Sequence, residues 1–291
     1  MSTSPNTLMP DSVSAVLEIV TRDDEAMVVS GGATLVAMLN ANLVDPTSLV
    51  ALKNIPELSG ISQQSDGSIE IGAMTRHAMT ASSDLLVGSL SGVKNAASKI
   101  ANPTVRNMGT MGGSISFSDP AADYPPALVA ANAEIEIVSA DGSRRVKAED
   151  FFIDWYETAL EPGEIVRAIH LPKPDEKSSG HHEKFARVEG DFATVSVNVV
   201  LSMAKDKCSA IRIAVGACGP TPIRNQDAES LLIGTALDEA SLLKAGALLA
   251  ESCDPIDDVR GSAEYRLNLV PQLLVRAVQR AQTNLTDGVA A

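Results

Sequence analysis

The most informative stretch of this 291-residue chain is Ala101-Asn102-Pro103-Thr104-Val105-Arg106-Asn107-Met108-Gly109-Thr110-Met111-Gly112-Gly113-Ser114. Its end, Thr110–Ser114, pairs a hydroxyl side chain with two adjacent glycines. Glycine permits positive φ and the close approach of a ligand, and successive N–H groups in such a turn form an anion-binding concavity. Further along, the carboxylate of Asp123 can accept hydrogen bonds from a sugar or ring donor. The stretch predicts a ligand loop, with a plain loop as the alternative for an isolated glycine pair.

A second glycine pair stands near the N-terminus. Ser30-Gly31-Gly32-Ala33-Thr34 follows the β-branched pair Val28-Val29, and apolar residues then recur at helical spacing from Leu35. This pattern predicts a strand, a tight turn and a helix N-terminus, where unpaired N–H groups favour a phosphate. Two phosphates on one ligand would explain two glycine loops, so a dinucleotide is the natural candidate. The G-x-G-x-x-G spacing is missing, which disfavours a Rossmann site.

Both loops resemble those of a known family. Ser30–Thr34 resembles the first FAD loop of the flavoprotein subunit of molybdenum hydroxylases, Ala-Gly-Gly-x-Ser, and Arg106–Ser114 resembles their second loop, Ile-Arg-Asn-x-Gly-Thr-x-Gly-Gly-Asn. Carbon monoxide dehydrogenase medium subunits and xanthine dehydrogenase FAD domains belong to this family. Further matches follow in order along the chain: Asp119-Pro120-Ala121-Ala122-Asp123, Lys184-Phe185-Ala186-Arg187, Gly216–Pro222 and Ala263-Glu264-Tyr265-Arg266.

The resemblance implies an α+β fold in two parts. The first is a two-subdomain FAD-binding domain of the vanillyl-alcohol-oxidase (PCMH) type, and the second is a C-terminal α+β domain with an antiparallel sheet and helices. The expected bounds are 1–56 and 57–175 for the two subdomains and 183–288 for the C-terminal domain. The charged, Ser-rich run Lys173–His182 predicts the boundary between the two parts. The polar residues 1–12 are expected to form a loose arm.

Local patterns predict several elements of this fold. Val13–Val20 reads as a short helix, and Asp141-Gly142 between two alternating segments is a strong hairpin signal. Strict alternation over Val195–Met203 predicts a half-buried strand. Ala263–Ala281 reads as a helix that Pro271 should kink or start.

The FAD contacts of the family carry over to seventeen positions of this chain. They are Val28, Val29, Ser30, Gly31, Gly32, Ala33, Thr34 and Leu35 around the first loop, Thr110, Met111, Gly112, Gly113 and Ser114 in the second, and Ile100, Asp123, Val166 and Lys184 elsewhere. By resemblance, the first loop would hold the pyrophosphate. Ser114 departs from the usual Asn or Asp, which weakens one expected hydrogen bond. Ala33 stands where a related superfamily with covalent flavin often has histidine, so dissociable FAD is expected.

Three of the side chains near these loops have a second interpretation. Asp123 is placed to cap the helix predicted from Tyr124. Lys184, without the resemblance, would be a solvated charge. His77 lies just after a predicted strand, either near the flavin or as a structural histidine bound to backbone groups.

Composition excludes some classes of function. With 23 Lys and Arg against 37 Asp and Glu, the net charge of −14 disfavours a nucleic-acid partner. No Lys or Arg precedes Arg22 and no long apolar run occurs, which predicts neither a secretory signal nor a membrane span and, by default, a cytoplasmic location. Cys208, Cys218 and Cys253 are too scattered for a disulfide framework, a zinc site or an iron–sulfur cluster, and buried free thiols are expected.

The resemblance implies an oxidoreductase subunit that carries electrons. No catalytic triad or metal-ligand cluster is evident, which suits a chain whose flavin does the redox chemistry. The chain would bind FAD, accept electrons from iron–sulfur clusters on a small partner and pass them to a terminal acceptor. Substrate would be hydroxylated at a molybdenum cofactor on a large partner, in a dimer of heterotrimers. The alternatives are a self-contained flavoprotein oxidase or dehydrogenase, and a non-catalytic ligand-binding or scaffold protein. The substrate and the acceptor (NAD, a quinone or a protein) stay open.

Overall fold

The N-terminal part is a small parallel sheet with two helices. The computed structural model describes residues 5–289. The strands pair in the order β1-β3-β2, and the elements are β1 Asn6–Leu8, α1 Val13–Arg22, β2 Met27–Val29, α2 Leu35–Asn40 and β3 Ser48–Ala51. The predicted first helix is confirmed. The loose arm is wrong at β1, because Asn6 pairs in parallel register with Ser48 on β3; residues 1–4 of that arm lie outside the described residues.

A five-stranded antiparallel sheet forms the second unit, in the order β4-β5-β10-β6-β7. Its strands, with the small β8-β9 ribbon, are β4 Ile61–Gln63, β5 Ile69–Gly72, β6 Glu134–Ser139, β7 Gly142–Lys147, β8 Phe152–Asp154, β9 Glu157–Thr158 and β10 Ile165–Leu171. The helices are α3 His77–Ser82, α4 Ser91–Lys99, α5 Pro103–Arg106, α6 Met111–Phe117, α7 Tyr124–Ala130 and α8 Ala148–Phe151. The predicted hairpin is confirmed, with Ser139 opposite Gly142.

The C-terminal part is a three-stranded antiparallel sheet with three helices. Its elements are β11 Ser178–Phe185, β12 Val195–Ala204, β13 Lys207–Gly216, α9 Gln226–Leu232, α10 Glu239–Glu251 and α11 Ala263–Val289. Strand β11 begins inside the run expected to be a linker, so the half of that run from Ser178 is sheet. Pro271 lies inside α11 and does not start it. It packs so closely on α10 that a Cβ at Gly246 would lie 2.5 Å from the Cα of Pro271.

The C-terminal sheet packs on the C-terminal helices with one face and on helices of the second unit with the other. One face packs Val195, Val197 and Val199 into a core with α10 and α11. The other face meets α4 and α7. There the Arg212 guanidinium donates to the carbonyl oxygens of Val129 (2.9 Å) and Ala130 (3.1 Å), at the C-terminal end of α7. Residues on this second face therefore lie against the glycine-loop region.

Candidate functional site

The two glycine loops are in contact although they are far apart in the sequence. A Cβ at Gly31 would lie 2.0 Å from the carbonyl oxygen of Met108, so only glycine allows the first loop to approach this closely. A Cβ at Gly113 would lie 3.3 Å from the Cβ of Ser30. The Ser30 hydroxyl also donates to the Met74 sulfur at 3.0 Å. The loops thus form one surface rather than two separate turns.

The first loop presents free backbone donors. Gly32 has a φ of +72°, a conformation that favours glycine. Across the described residues 5–289, the backbone N–H groups of Gly31, Gly32, Ala33 and Thr34 donate to no protein acceptor. Gly31 and Gly32 are half-buried, and Ala33 and Thr34 are exposed, so a ligand can reach these donors. Unpaired N–H groups before a helix form a site for an anion.

The second loop has no such free donors in its first turn. Met111 N–H donates to the Thr75 carbonyl (2.9 Å), and Gly112 N–H donates to the Ala73 carbonyl (2.8 Å). Gly113 N–H donates to the hydroxyl of Thr110, which caps α6 (3.2 Å). Ser114 N–H donates to the Thr110 carbonyl (3.0 Å). Of the amides expected to form an anion concavity, those from Met111 to Ser114 are therefore used inside the protein, and only Thr110 N–H donates to no acceptor among residues 5–289.

The glycines of the second loop serve packing. Gly112 and Gly113 lie in α6 and are not among the residues with positive φ, so the conformational freedom that glycine permits is not used here. The physical reason for glycine at Gly112 is steric: a Cβ would lie 2.5 Å from the Cβ of Ala73 and 2.7 Å from its carbonyl oxygen. Only a residue without a side chain lets α6 lie directly on the chain after β5.

His77 supports the second loop from below. Its Nδ1 is 3.1 Å from the hydroxyl of Tyr124, and a Cβ at Gly109 would lie 2.5 Å from its Nε2. Burial is the main cause that lowers the pKa of His77 to about 4, against the opposite effect of Asp123. The ring is therefore neutral near pH 7. This geometry fits a structural histidine, although the partner of its ring is the Tyr124 hydroxyl and not a backbone group as expected.

Asp123 is a buried carboxylate with two side-chain partners. Its Oδ1 accepts from His182 Nε2 (2.9 Å) and its Oδ2 from Lys184 Nζ (2.8 Å). Burial alone would raise the pKa of Asp123, but these two partners outweigh it and hold the pKa below its usual value. The predicted cap of α7 is wrong: Asp123 precedes the helix without a side-chain cap bond, because its carboxylate faces β11. Lys184 is buried too, not a solvated charge.

The apolar positions expected near the cofactor flank the second loop. Arg106 donates to the carbonyl oxygens of Ile100 (2.7 Å) and Ala101 (2.8 Å), which fixes the chain where the loop begins. Val166 is buried on β10, and the next residue's carbonyl accepts from Ala73 N–H at 2.9 Å. Lys184 Nζ donates to the Lys99 carbonyl, beside Ile100 (3.0 Å). The structure thus brings these positions to one region, while Val28, Val29 and Leu35 stay on the first-loop side.

Sequence reasoning missed the residues that hold the site together. Ala73 and Met108 act through their backbone oxygens, and no side-chain type in the sequence reveals this. His182 was assigned to the linker, yet its spacing of two from Lys184 was a usable signal, because alternate residues of a strand share a face. The Ser-rich composition around His182 hid the strand.

A second cluster of titratable groups lies on the five-stranded sheet. Ligand atoms of Glu70, Glu136 and His170 lie within 4.8 Å of one another. Arg167 donates to Glu136 (2.6 Å) and to Glu70 (3.3 Å), and His170 Nε2 lies 2.6 Å from Glu136. The guanidinium already supplies the positive charge, so we assign this cluster as an ion-pair network.

Comparison with protein families matches both parts of the chain. Residues 3–174 match the FAD binding domain in molybdopterin dehydrogenase, and residues 181–281 match the CO dehydrogenase flavoprotein C-terminal domain. Through residues 5–289, no helix has the length and apolar character needed to cross a membrane.

Individual relatives agree with the family match along nearly the whole chain. The carbon monoxide dehydrogenase medium chain of Afipia carboxidovorans is 36% identical and covers 94% of this chain and 95% of its own. The nicotine 6-hydroxylase medium subunit of Paenarthrobacter nicotinovorans is 33% identical with the same coverage. Among solved structures, a chain of quinoline 2-oxidoreductase from Pseudomonas putida 86 superposes with a TM-score of 0.92 at 31% identity, covering 98% of this chain and 99% of that one. A chain of the Cu,Mo-CO dehydrogenase gives 0.93 at 35% identity and the same coverage.

These matches confirm the fold expected from the sequence, an FAD-binding domain followed by a C-terminal flavoprotein domain. They also confirm the resemblance read from the glycine loops. This chain belongs to the family of FAD-binding medium subunits of molybdenum hydroxylases, which are components of oxidoreductases.

Proposed function

We propose that this chain binds FAD non-covalently across the two glycine loops and transfers electrons within a molybdenum hydroxylase complex. The observation that carries the proposal is a row of four N–H groups, Gly31 to Thr34, that find no acceptor within residues 5–289 and lie against the second loop. A dinucleotide has the anionic pyrophosphate that such a row accepts. When bound, the flavin supplies the redox chemistry, and the protein binds and orients it.

The candidate residues divide into three roles in this proposal. Gly31, Gly32, Ala33 and Thr34 hold the pyrophosphate through their amides, with Ser30 at the loop contact and Val28, Val29 and Leu35 as its flanks. Thr110, Met111, Gly112, Gly113 and Ser114 form the opposite wall. Ile100 and Val166 supply apolar contacts, and Asp123 and Lys184 a charged pair. The fit rests on the free amides of the first loop and on the close loop contact at Gly31.

The electron-transfer role and the partners follow from the family. Relatives that align with this chain over most of its length are subunits of enzymes named for different compounds: carbon monoxide, nicotine, glyceraldehyde and caffeine. Such varied names on one type of chain favour a substrate site on another subunit. We therefore propose a small iron–sulfur partner and a large molybdenum partner, a dimer of heterotrimers, and a cytoplasmic location. The domain bounds 1–56, 57–175 and 183–288 remain part of this proposal.

The cofactor assignment is tested with two variants at one position. Among residues 5–289, Thr34 N–H has no acceptor, so Thr34→Pro removes one donor without breaking a hydrogen bond inside the protein. The φ of Thr34, −91°, must shift towards the roughly −65° of proline, so thermal unfolding of the variant is measured beside its affinity. We expect the purified wild type to release intact FAD on acid denaturation. We expect Thr34→Pro to raise the Kd for FAD about tenfold, while Thr34→Ala, which keeps the N–H, stays within about threefold.

Three results would contradict the cofactor assignment. Flavin that remains on the denatured polypeptide would show covalent attachment. A chain that binds FMN but not FAD would have only one phosphate for the loops to hold. Equal FAD affinity of the wild type and both Thr34 variants, at equal thermal stability, would remove the first loop from the site.

The partnership is tested by purification from the native host. We expect three chain sizes to copurify with iron, molybdenum and FAD, through an interface on the order of 1,000 Å² or more. A metal-free homo-oligomer that turns over substrate by itself would support the self-contained flavoprotein instead. A colourless protein without flavin would support the ligand-binding or scaffold alternative.

A further inference from the structure

The Asp123 carboxylate is held by a histidine that the proposed function does not use. His182 is fully buried, and its Nε2 lies 2.9 Å from Asp123 Oδ1. Lys184 occupies the other oxygen from the same face of β11. A carboxylate offers about four acceptor positions, so these two bonds leave acceptor capacity on Asp123 for a ligand hydroxyl.

The protonation state of His182 follows from its partners. A carboxylate only accepts, so Nε2 carries the hydrogen. Nδ1 is buried and has no hydrogen-bond partner in the part of the chain that the structure describes. A second proton on Nδ1 would be an unpaired buried donor, which is costly. Burial, the largest cause, also lowers the pKa of His182, although Asp123 acts in the opposite direction. The ring is therefore neutral, with its tautomer fixed.

The backbone of His182 is anchored to the helix that leads to the second loop. Its N–H donates to the Asn95 side chain on α4 (3.2 Å), and its carbonyl accepts from Lys99 Nζ. Lys184 Nζ in turn donates to the Lys99 carbonyl (3.0 Å), next to Ile100. The ring at His182 is thus fixed relative to α4 at both polar groups of its own backbone. A rigid support of this kind can hold a carboxylate at one angle.

We infer that His182 is a positioning residue for the cofactor site: its neutral Nε2–H fixes the orientation of the Asp123 carboxylate that receives a ribityl or ribose hydroxyl of FAD. This inference rests on the proposed function. Lys184 supplies the compensating charge, and His182 supplies direction without a second charge. A bound hydroxyl then meets an acceptor that is already oriented, so less ordering is needed on binding.

The inference is tested by removing flavin from the full-length chain and titrating it with FAD, with flavin fluorescence as the signal for binding. His182→Leu removes the donor, and His182→Gln keeps an N–H donor on a side chain of similar reach. We expect His182→Leu to raise the Kd for FAD about tenfold and His182→Gln to stay within about threefold. In an Asp123→Asn background, where the oriented carboxylate is already lost, adding His182→Leu should change the Kd less than about twofold.

The outcomes separate this inference from the function on which it rests. A wild-type chain that binds no FAD overturns the proposed function, and the inference with it. Wild-type binding with equal losses for His182→Leu and His182→Gln in both backgrounds overturns the inference alone, because a packing role predicts that result. Unchanged Kd values in every variant overturn it as well. Rescue by Gln together with the loss of effect in Asp123→Asn supports it.

Discussion

The two glycine loops look alike in the sequence but are built in opposite ways. In the first loop, Gly32 adopts a positive φ, and the amides from Gly31 to Thr34 have no acceptor in the described part of the chain. In the second loop, the glycines are helical and the amides of Met111, Gly112 and Gly113 are all bonded inside the protein. The first loop also lies on α2, which has no buried residue, whereas Met111 and Gly112 of the second are buried.

The comparison separates two uses of glycine. A glycine can adopt a positive φ in a ligand loop, as Gly32 does, or let two backbones touch, as Gly112 does with Ala73 and Gly31 with Met108. The second loop is therefore a rigid wall, and the first loop carries the donors. This division predicts that changes at the packed glycines, Gly112 and Gly31, lower stability, while loss of an exposed amide donor at Thr34 acts mainly on ligand affinity.

The largest effect is expected from Gly112→Val. Its Cβ would lie 2.5 Å from the Cβ of Ala73, so the wall must move. We expect the free energy of unfolding to fall by more than about 3 kcal/mol and FAD binding to be lost with it. Denaturant unfolding measures the loss, and Lys207→Ala at the start of β13, in an exposed position, should change it by about 0.5 kcal/mol or less. A variant as stable as the wild type would contradict the packing role.

A smaller effect should appear in the pH dependence of stability through His77. Its pKa is lowered to about 4 in the folded protein, so below pH 6.5 the unfolded chain takes up a proton that the folded one does not. Stability should therefore be complete above pH 6.5 and fall by up to about 3 kcal/mol as the pH decreases towards 4. His182 contributes with the same sign. The measurement is the decrease in the free energy of unfolding between pH 6.5 and 4, in the wild type and in His77→Gln. We expect a smaller decrease in the variant. An identical decrease would mean that His77 is not the titrating group.

The smallest effect distinguishes the two threonines that precede the helices. Thr110 caps α6 through Gly113 N–H, whereas Thr34 makes no side-chain cap bond to α2. We expect Thr110→Ala to cost about 1 kcal/mol and Thr34→Ala about 0.5 kcal/mol or less. Thermal unfolding of both variants gives the comparison. Equal costs would show that the two loops are supported in the same way.

The predictable part of the fold was the part written in local patterns. The helix from Val13 and the hairpin at Asp141-Gly142 are present. The strand over Val195–Met203 is present too, but it is not half-buried as expected, because both of its faces are covered from Val195 to Val199. Strand β11 escaped prediction because Ser178 and its neighbours have the composition of a linker, and their strand conformation comes from pairing with β12. Strand β1 was not predicted for the same reason, because its pairing partner β3 lies some forty residues away in the sequence.

The sequence indicated which residues belong to the site but not which hydrogen bonds they form. The loop sequences indicated a cofactor region, yet they did not show that Met111 and Gly112 donate to Thr75 and Ala73. Those hydrogen bonds depend on the position of the end of β5 relative to α6, which is set by tertiary packing and not by the local sequence. The cap expected from Asp123 failed for a related reason, because His182 and Lys184 compete for the same carboxylate from another part of the chain.

The bonds from Arg212 to α7 have a consequence for the order in which the protein is made. A chain leaves the ribosome N-terminus first, and Arg212 is synthesised 82 residues after Ala130, whose carbonyl it binds. Until then, water must occupy the carbonyl of Ala130, and the side of α7 that later meets β13 stays uncovered. During synthesis there is therefore a period in which the N-terminal part has formed but its contact surface for β13 is still exposed. A pause in translation before β13 would lengthen the time for which a chaperone or protease can reach that surface.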